Sequence, residues 1–437
     1  MQVVLESPSA LERQFTITIP NGDVETEFEA KLAETAKRVR VDGFRPGKVP
    51  ASVVRQRYGQ AIRQEIVSDL MEKSLGQALS EHDVKPIGQP KIDDVKFEEG
   101  SDFSFKATFE VFPELDPHLI DGDEIEQTNC KIGAADIKEM IATLRDQRKS
   151  WKESAKAASK KGDRVTINFD GFIDEEAFEG GKGEDHALVL GSGSMIPGFE
   201  DGIIGMKKGD VRDIEVTFPE DYHAENLKGK AATFKILVTK LERGALPAVD
   251  EEFIKTFGVE SGEEKDFKAQ LKEQMGRELS LTLKNMNKTR VFDMLLDKNS
   301  ETPVPESAVK AEIRTLKNQA AERFGGGQQF EPDQLPDDLF SDQAERRVRL
   351  GILLGATVKK LELHADADRV RALVDEMAAA YDDPEQVVNY YYSNDENLKQ
   401  VEALAVEEQV AEKLLESAKV KAIDMSYADV MKSRQGN

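Results

Sequence analysis

Gly43-Phe44-Arg45-Pro46-Gly47-Lys48-Val49-Pro50 lies between two stretches of helical periodicity, and its reading organises the rest of the chain. Two Gly and two Pro in eight positions cannot continue a helix, because Pro lacks an amide donor and Gly gives up too much backbone freedom. Upstream, Val24, Phe28, Leu32 and Val39 recur at near-helical spacing; downstream, Val54, Tyr58, Ile62, Ile66 and Leu70 repeat every fourth residue. The octapeptide is therefore expected to be the tip of a helical hairpin. It presents one aromatic ring and two cations where the backbone is most exposed.

The tip departs from the charge of its own chain. The protein carries 84 acidic and 60 basic residues, a formal charge of -24. Yet Lys37, Arg38, Arg40, Arg45, Lys48, Arg55, Arg57 and Arg63 are accompanied across that span by a single acid, Asp42. A basic tip on an acidic protein points to a polyanionic partner, nucleic-acid phosphate being the commonest. The plainer reading is a solvated Gly/Pro turn. The octapeptide also resembles the ribosome-docking signature G-F-R-x-G-K-x-P of the bacterial trigger factors, chaperones that sit at the peptide exit, and residues 1–437 resemble that family's three-part layout. The resemblance implies that Gly43, Phe44, Arg45, Pro46, Gly47, Lys48, Val49 and Pro50 dock on protein and rRNA of the large ribosomal subunit near the exit tunnel. It further implies nascent and unfolded polypeptides as clients, and a homodimer away from the ribosome.

Composition sets the outer bounds. A chain of 437 residues predicts about three domains of roughly 150 residues. Hydrophobic residues, at 39%, suffice for real cores, while 33% charged residues predict extended solvated surfaces. A single cysteine, Cys130, excludes an internal disulfide and suits a reducing cytosol. Met1-Gln2-Val3-Val4-Leu5-Glu6 has neither a basic nor an apolar signal region. The weakly polar run Leu350–Val358 falls far short of the roughly 20 residues of a membrane span. The expectation is a soluble, cytoplasmic protein with no membrane partner.

Taken in order, Leu11–Ile19 and Phe103–Val111 alternate as half-buried strands, so residues 1–112 read as an α+β module with the two helices packed on the sheet. Residues 113–150 form a connector and an arm of the helical domain, with Ile137, Met140, Ile141 and Leu144 on one helical stripe. Ala155–Lys161 reads as a flexible joint. Over 151–245 the pattern changes to strands and glycines, with Val165–Phe169, Ala187–Leu190, Val211–Phe218 and Thr233–Leu241 predicted to form an antiparallel sheet. Residues 246–437 are helical: Asp266–Lys298, Glu306–Phe324, Asp342–Leu363, Asp366–Ala380, Pro384–Tyr392 and Glu396–Ala418, with a short extended piece near Val420–Ile423. The long first helix places Phe267, Leu271, Met275, Leu279, Leu283, Met286 and Leu295 near one side, and the stripe in 134–150 is the natural packing partner of the helical region as a whole. The expected fold class is thus α+β multidomain: an N-terminal α+β ribosome-binding module, an FKBP-like antiparallel β domain and an all-helical C-terminal domain. The chaperone role of that helical domain is carried by the resemblance, since Met and Leu stripes serve equally as helix–helix core.

The chemistry is read from the middle segment. Its Gly-rich stretch Gly191–Gly202 lacks the Lys-Ser/Thr ending of a phosphate loop. The order Asn168-Phe169-Asp170-Gly171, Phe178-Glu179-Gly180, Leu190-Gly191, Met195-Ile196-Pro197-Gly198-Phe199-Glu200, Pro219-Glu220-Asp221-Tyr222, Phe234 resembles instead the pocket order of FKBP-type prolyl isomerases. Carried over, Phe169, Phe178, Glu179, Met195, Ile196, Phe199, Tyr222 and Phe234 are the implied catalytic residues, with a backbone donor near Ile196. Phe199 stands where many FKBPs have Trp, and Glu179 where many have Asp; both departures resemble the trigger-factor branch. Some of these rings belong to a barrel core in any case. Prolyl isomerisation consumes no acid, base or metal, and no cofactor is expected. The alternative reading is a stand-alone FKBP-type folding isomerase without ribosome docking, which leaves Gly43–Pro50 and the helical half unexplained. The five histidines are scattered, Cys130 has no local base, and His364-Ala365-Asp366-Ala367-Asp368 reads as a helix start before it reads as a metal site.

Overall fold

Alternation in the first long strand buries Phe15, Ile17 and Ile19 on one face, and the partner strand answers with Phe103, Phe105, Ala107 and Phe109. The computed structural model describes residues 1–41, 44, 49–98, 100–154, 157–174, 176–222, 224, 227–324, 331–379, 381 and 383–435; the side chains of Glu179, Phe324 and Gln435 also lie outside the description. The chain begins β1 (Gln2–Glu6), β2 (Glu12–Ile19), α1 (Asn21–Arg38), α2 (Ala51–Glu81), β3 (Ile87–Lys96), β4 (Phe103–Glu110) and β5 (Glu124–Asn129). It continues with α3 (Ala134–Gln147), β6 (Ser150–Glu153), β7 (Arg164–Ile173), β8 (Glu176–Val189), α4 (Phe199–Ile203), β9 (Val211–Thr217) and β10 (Ala231–Ala245). Then follow α5 (Glu251–Lys255), α6 (Glu264–Lys298), α7 (Glu306–Phe324), α8 (Asp338–Lys360), α9 (Ala367–Ala378), α10 (Pro384–Tyr392), α11 (Asp395–Ser417), β11 (Lys419–Asp424) and α12 (Tyr427–Gln435). Two compact units result: Met1–Thr128 with Asn285–Ile423, and Asn129–Lys284 with Asp424–Asn437.

In the first unit the sheet runs β1-β2-β4-β3, antiparallel, with Phe15 opposite Ala107 and Ile17 opposite Phe105. Val67, Leu70, Met71 and Leu75 of α2 cover it, while Phe28, Leu32, Val54, Ile62 and Ile66 join α1 to α2 in a core of their own. The sheet is also tied to a helix nearly two hundred residues away. The Glu110 carboxylate accepts the first amides of α7, from Glu306 at 3.2 Å and Ser307 at 2.7 Å. Burial alone would raise that carboxyl, but the Ser307 hydroxyl and the two amides leave it below its ordinary range. Asn287 of α6 and Asn299, the residue just past its end, hold the connector. Asn299 bonds both the amide and the carbonyl of His118, each at 2.9 Å, and Asn287 does the same for Thr128 at 2.9 and 3.2 Å. Ile120, Ile125, Val291, Leu295, Leu353, Val410 and Leu414 form the core there.

In the second unit β6-β10-β7-β8 is one antiparallel path, with β9 on the other side of β10. Its core is Val165, Ile167, Leu190, Phe199, Ile203, Ile214, Ile236, Val238 and Leu241. The stripe Ile137, Met140, Ile141 and Leu144 of α3 packs on Phe253, Ile254, Phe267 and Leu271. Buried Phe267, Leu271, Met275, Leu279 and Leu295 show the apolar stripe of α6 to be helix core. One expectation is corrected. Within the segment read as a flexible joint, Ser159 is 3% exposed, its hydroxyl donates to Ile203 O at 2.7 Å, and its amide and carbonyl bond Met206 and Gly205. Small and charged residues there seat the chain against α4. The sequence analysis does not predict β1, β3, β5, β6, α4, α5 or α12, which are short, polar or interrupted by Pro90.

Candidate functional site

The β7–β8 hairpin makes room for rings by omitting side chains. Phe169 lies opposite Gly183, and Gly171 lies opposite Phe234 on β10. A Cβ on Gly183 would fall 2.5 Å from the Phe169 ring, and one on Gly171 2.7 Å from Phe234 and 2.8 Å from Phe178. With that space the rings form one continuous chain. Centroid separations are 6.0 Å for His186–Phe169, 5.9 Å for Phe169–Phe199, 5.2 Å for Phe199–Phe234, 5.9 Å for Phe234–Phe178, 5.9 Å for Phe178–Phe218 and 4.8 Å for Phe218–Tyr222. Most pairs are edge-to-face, the arrangement that aromatic quadrupoles favour. Phe199 and Phe234 lie beneath, at 0% and 5% exposure; Phe169, Phe178, Met195, Ile196 and Tyr222 are half-buried and pack against them.

The loop before α4 carries Met195 and Ile196. Gly191 and Gly193 take φ of +87° and +72°, conformations open to glycine at little cost. The backbone amides of this loop converge on Glu200. Its Oε2 accepts from Gly191 N at 2.6 Å and Gly193 N at 3.2 Å; its Oε1 accepts from Ser194 N at 2.9 Å, Met195 N at 3.3 Å and the Ser192 hydroxyl at 3.1 Å. Burial would raise this carboxyl, which is 7% exposed, but the amides of Gly193, Gly191 and Met195 with the Ser192 hydroxyl hold it below the usual range. Neither Glu200 nor Phe218 and His186 stood out in the sequence as site residues. The available signal was an acid directly after the ring of a Gly-rich turn.

All implied pocket residues except Glu179, whose side chain lies outside the described residues, are brought to this one cluster. It offers an apolar, aromatic wall with no paired acid and base. Cys130 sits elsewhere, its thiol pushed up by burial and by Asp136, so little thiolate is present at neutral pH. Asp366 caps α9, accepting from Asp368 N at 2.9 Å and Arg369 N at 3.4 Å, which is the helix-start role.

At the hairpin tip, Gly43, Arg45, Pro46, Gly47 and Lys48 lie outside the described residues. Phe44 is 41% exposed, Val49 is buried in the core of the hairpin with Val41 and Val54, and Pro50 opens α2. The basic surface behind the tip is partly neutralised by acids of α1. Arg55 pairs with Glu29, Arg63 with Glu25 at 3.8 Å and Arg38 with Glu34 at 2.8 Å, and both Arg55 and Arg63 lie over the Phe28 ring. Lys37, Arg40 and Arg57 are exposed.

Comparison with known proteins gives the family of each segment. The family described as bacterial trigger factor protein matches residues 1–144, and its C-terminal part matches residues 265–416. The trigger factor of Alcanivorax borkumensis is 46% identical over 435 residues, covering 100% of this chain and 99% of its own. The chain belongs to the trigger factor family. The trigger factor of Teredinibacter turnerae is likewise 46% identical over 437 residues, with 100% and 99% covered, and that of Chromohalobacter salexigens is 44% identical over 435, with 100% and 97% covered. A solved chain from work on the folding and assembly activities of the trigger factor chaperone aligns over 95% of this chain and 99% of its own, at 17% identity and a TM-score of 0.46. Between the two trigger factor matches, FKBP-type peptidyl-prolyl cis-trans isomerase matches residues 155–239, the segment that holds the whole ring cluster. The protein is thus a trigger factor chaperone with an FKBP-type isomerase domain, and the expected α+β multidomain fold class holds. A stand-alone isomerase is not favoured, because the family matches extend well to either side of that domain. No helix among the described residues of this trigger factor is long and apolar enough to cross a membrane.

Proposed function

We propose that this chain docks on the large ribosomal subunit near the exit tunnel, holds nascent and unfolded polypeptides, and isomerises their X-Pro bonds in the cluster of Phe169, Phe178, Glu179, Met195, Ile196, Phe199, Tyr222 and Phe234. Residues 1–112 are the docking module, 113–150 a connector and arm, 151–245 the isomerase and 246–437 the helical chaperone part, in a cytoplasmic protein that pairs with itself when off the ribosome. The observation that carries the enzymatic reading is the single chain of rings drawn from β7, β8, α4 and β10. The barrier to rotation, about 18–20 kcal/mol, comes from amide resonance. Twisting the C–N bond removes charge separation, so a dry aromatic wall favours the twisted state over the planar one. Phe199 and Phe234 form the base for the proline ring. The Ile196 amide, which makes no hydrogen bond among the described residues, is a donor for the substrate carbonyl. Clients find support on an apolar groove between α8 and α11, lined by Leu354, Val358, Val406 and Val410, and on exposed Leu339, Tyr381 and Tyr390.

Two measurements test the parts separately. Phe199→Ala is expected to slow isomerisation of a short prolyl peptide at least about tenfold, which takes only ~1.4 kcal/mol of transition-state stabilisation. Full activity would make Phe199 barrel core and nothing more. Phe44→Ala with Arg45→Ala and Lys48→Ala is expected to abolish co-sedimentation with ribosomes, and each lost phosphate contact flattens the salt dependence by about one unit of slope. Unchanged co-sedimentation would remove the docking assignment.

A further inference from the structure

We infer that Glu200 is a positioning residue of the isomerase: its carboxylate holds the loop Gly191–Met195 in the shape that presents the Ile196 amide and the Met195 side chain to the prolyl substrate. The inference rests on the pocket reading above. Four amides, of Gly191, Gly193, Ser194 and Met195, point inward at one place, and two positive-φ glycines make that geometry accessible. Convergent N–H dipoles repel one another unless an acceptor with several lone pairs sits among them. An ionised carboxylate has about four acceptor sites and no hydrogen, and Glu200 uses both oxygens.

The consequence reaches the substrate through adjacent peptides. Met195 N–H is taken up by Glu200, and Ile196 O accepts from Phe199 N at 3.1 Å, so the peptide units before and after the Met195–Ile196 peptide are both held. The amide left between them, that of Ile196, makes no hydrogen bond among the described residues. Glu200 follows Phe199 directly in α4, so one short element sets the base of the pocket and the rim above it. No other side chain can replace the carboxylate. Gln has a single acceptor oxygen and would turn an NH2 donor toward amide donors. Asp is shorter by one methylene, roughly 1.5 Å, which breaks contacts already at 2.6–3.3 Å.

The test uses the full-length protein and three variants, Glu200→Gln, Glu200→Ala and Phe199→Ala. Peptide isomerisation is read together with amide hydrogen exchange of fragments covering 190–198 and 231–241. Both Glu200 variants are expected to lose at least about tenfold in kcat/KM. Exchange should accelerate in 190–198 and stay unchanged in β10, and the neutral isostere Gln should not rescue. A Glu200 variant within about twofold of the parent, beside an impaired Phe199→Ala, would overturn the inference while leaving the pocket intact. Acceleration spread equally through β10 would overturn it too, since the carboxylate would then be supporting the whole barrel. Full activity in Phe199→Ala would instead remove the pocket reading, and the inference with it.

Discussion

A ring packed against a sheet needs an empty position across from it, and in this protein two glycines supply that emptiness. Gly171 and Gly183 sit in extended strands, so their value is steric: a methyl at Gly183 would meet Phe169, which is already boxed in by Phe199, Phe234 and His186. Gly183→Ala is therefore expected to cost about 1–3 kcal/mol by overpacking. It should also lower peptide isomerisation several-fold, because the displaced ring is one of the half-buried wall. Gly22→Ala, in α1 with open space around the added methyl, is the matched control and should leave thermal stability unchanged or slightly raised. Identical melting curves and rates for Gly183→Ala and the parent would show that the wall tolerates a moved Phe169.

Among elements, β6 shows how a strand of four residues is held. It pairs with the end of β10, and its Trp151, the one tryptophan of the chain, lies under Arg164 at 4.8 Å from the ring centroid. Arg164 in turn donates to Glu242 Oε2 at 2.8 and 2.9 Å, and Lys240 to Oε1 at 2.9 Å. The Lys240 hydrogen bond, and then Arg164, hold the buried Glu242 carboxyl below its ordinary range in spite of burial. The unfolded chain titrates that group near its ordinary value of about 4.3, so between the two values the unfolded state binds the proton and the folded state does not. Stability from Glu242 is thus complete above about pH 4.3 and is lost as pH falls through the lower folded value. Thermal unfolding followed by Trp151 fluorescence should show this loss in the parent and a shallower acid dependence in Glu242→Gln. Equal slopes would assign the acid sensitivity of the barrel to other carboxylates.

For the whole molecule the question is what the helical part adds to the isomerase. A module cut at 149–245 keeps β6 together with its partner strand and the full ring cluster, so it should fold alone. On a short prolyl peptide it should match the intact chain, since that substrate touches the pocket only. An unfolded protein held at several weak sites brings its prolines to the pocket at raised local concentration, a gain of order a hundredfold or more. The intact chain should therefore far outpace the module in proline-limited refolding. Equal refolding rates, measured side by side, would mean that the helical part contributes no client binding.

Most helices and most strands were legible in the sequence, because they rest on periodicity that each segment carries by itself: every fourth residue in 54–70, alternation in 12–19 and 103–110. The pocket was legible as an order of rings and glycines along the chain. Tertiary structure decided what depends on partners far away in sequence. Ser150–Glu153 is a strand only because residues 242–245 offer it a ladder, and four residues have too little pattern to announce that. Arg55 and Arg63 look like free cations until α1 brings Glu29 and Glu25 beside them. The stripe of α6 became core when Ile137 and Ile141 of α3 and the Phe253 ring closed over its first turns. Glu200 looks like one acid among 84 until folding turns four amides toward it, since hydrogen-bond convergence is a property of a closed loop and has no periodic trace in the chain.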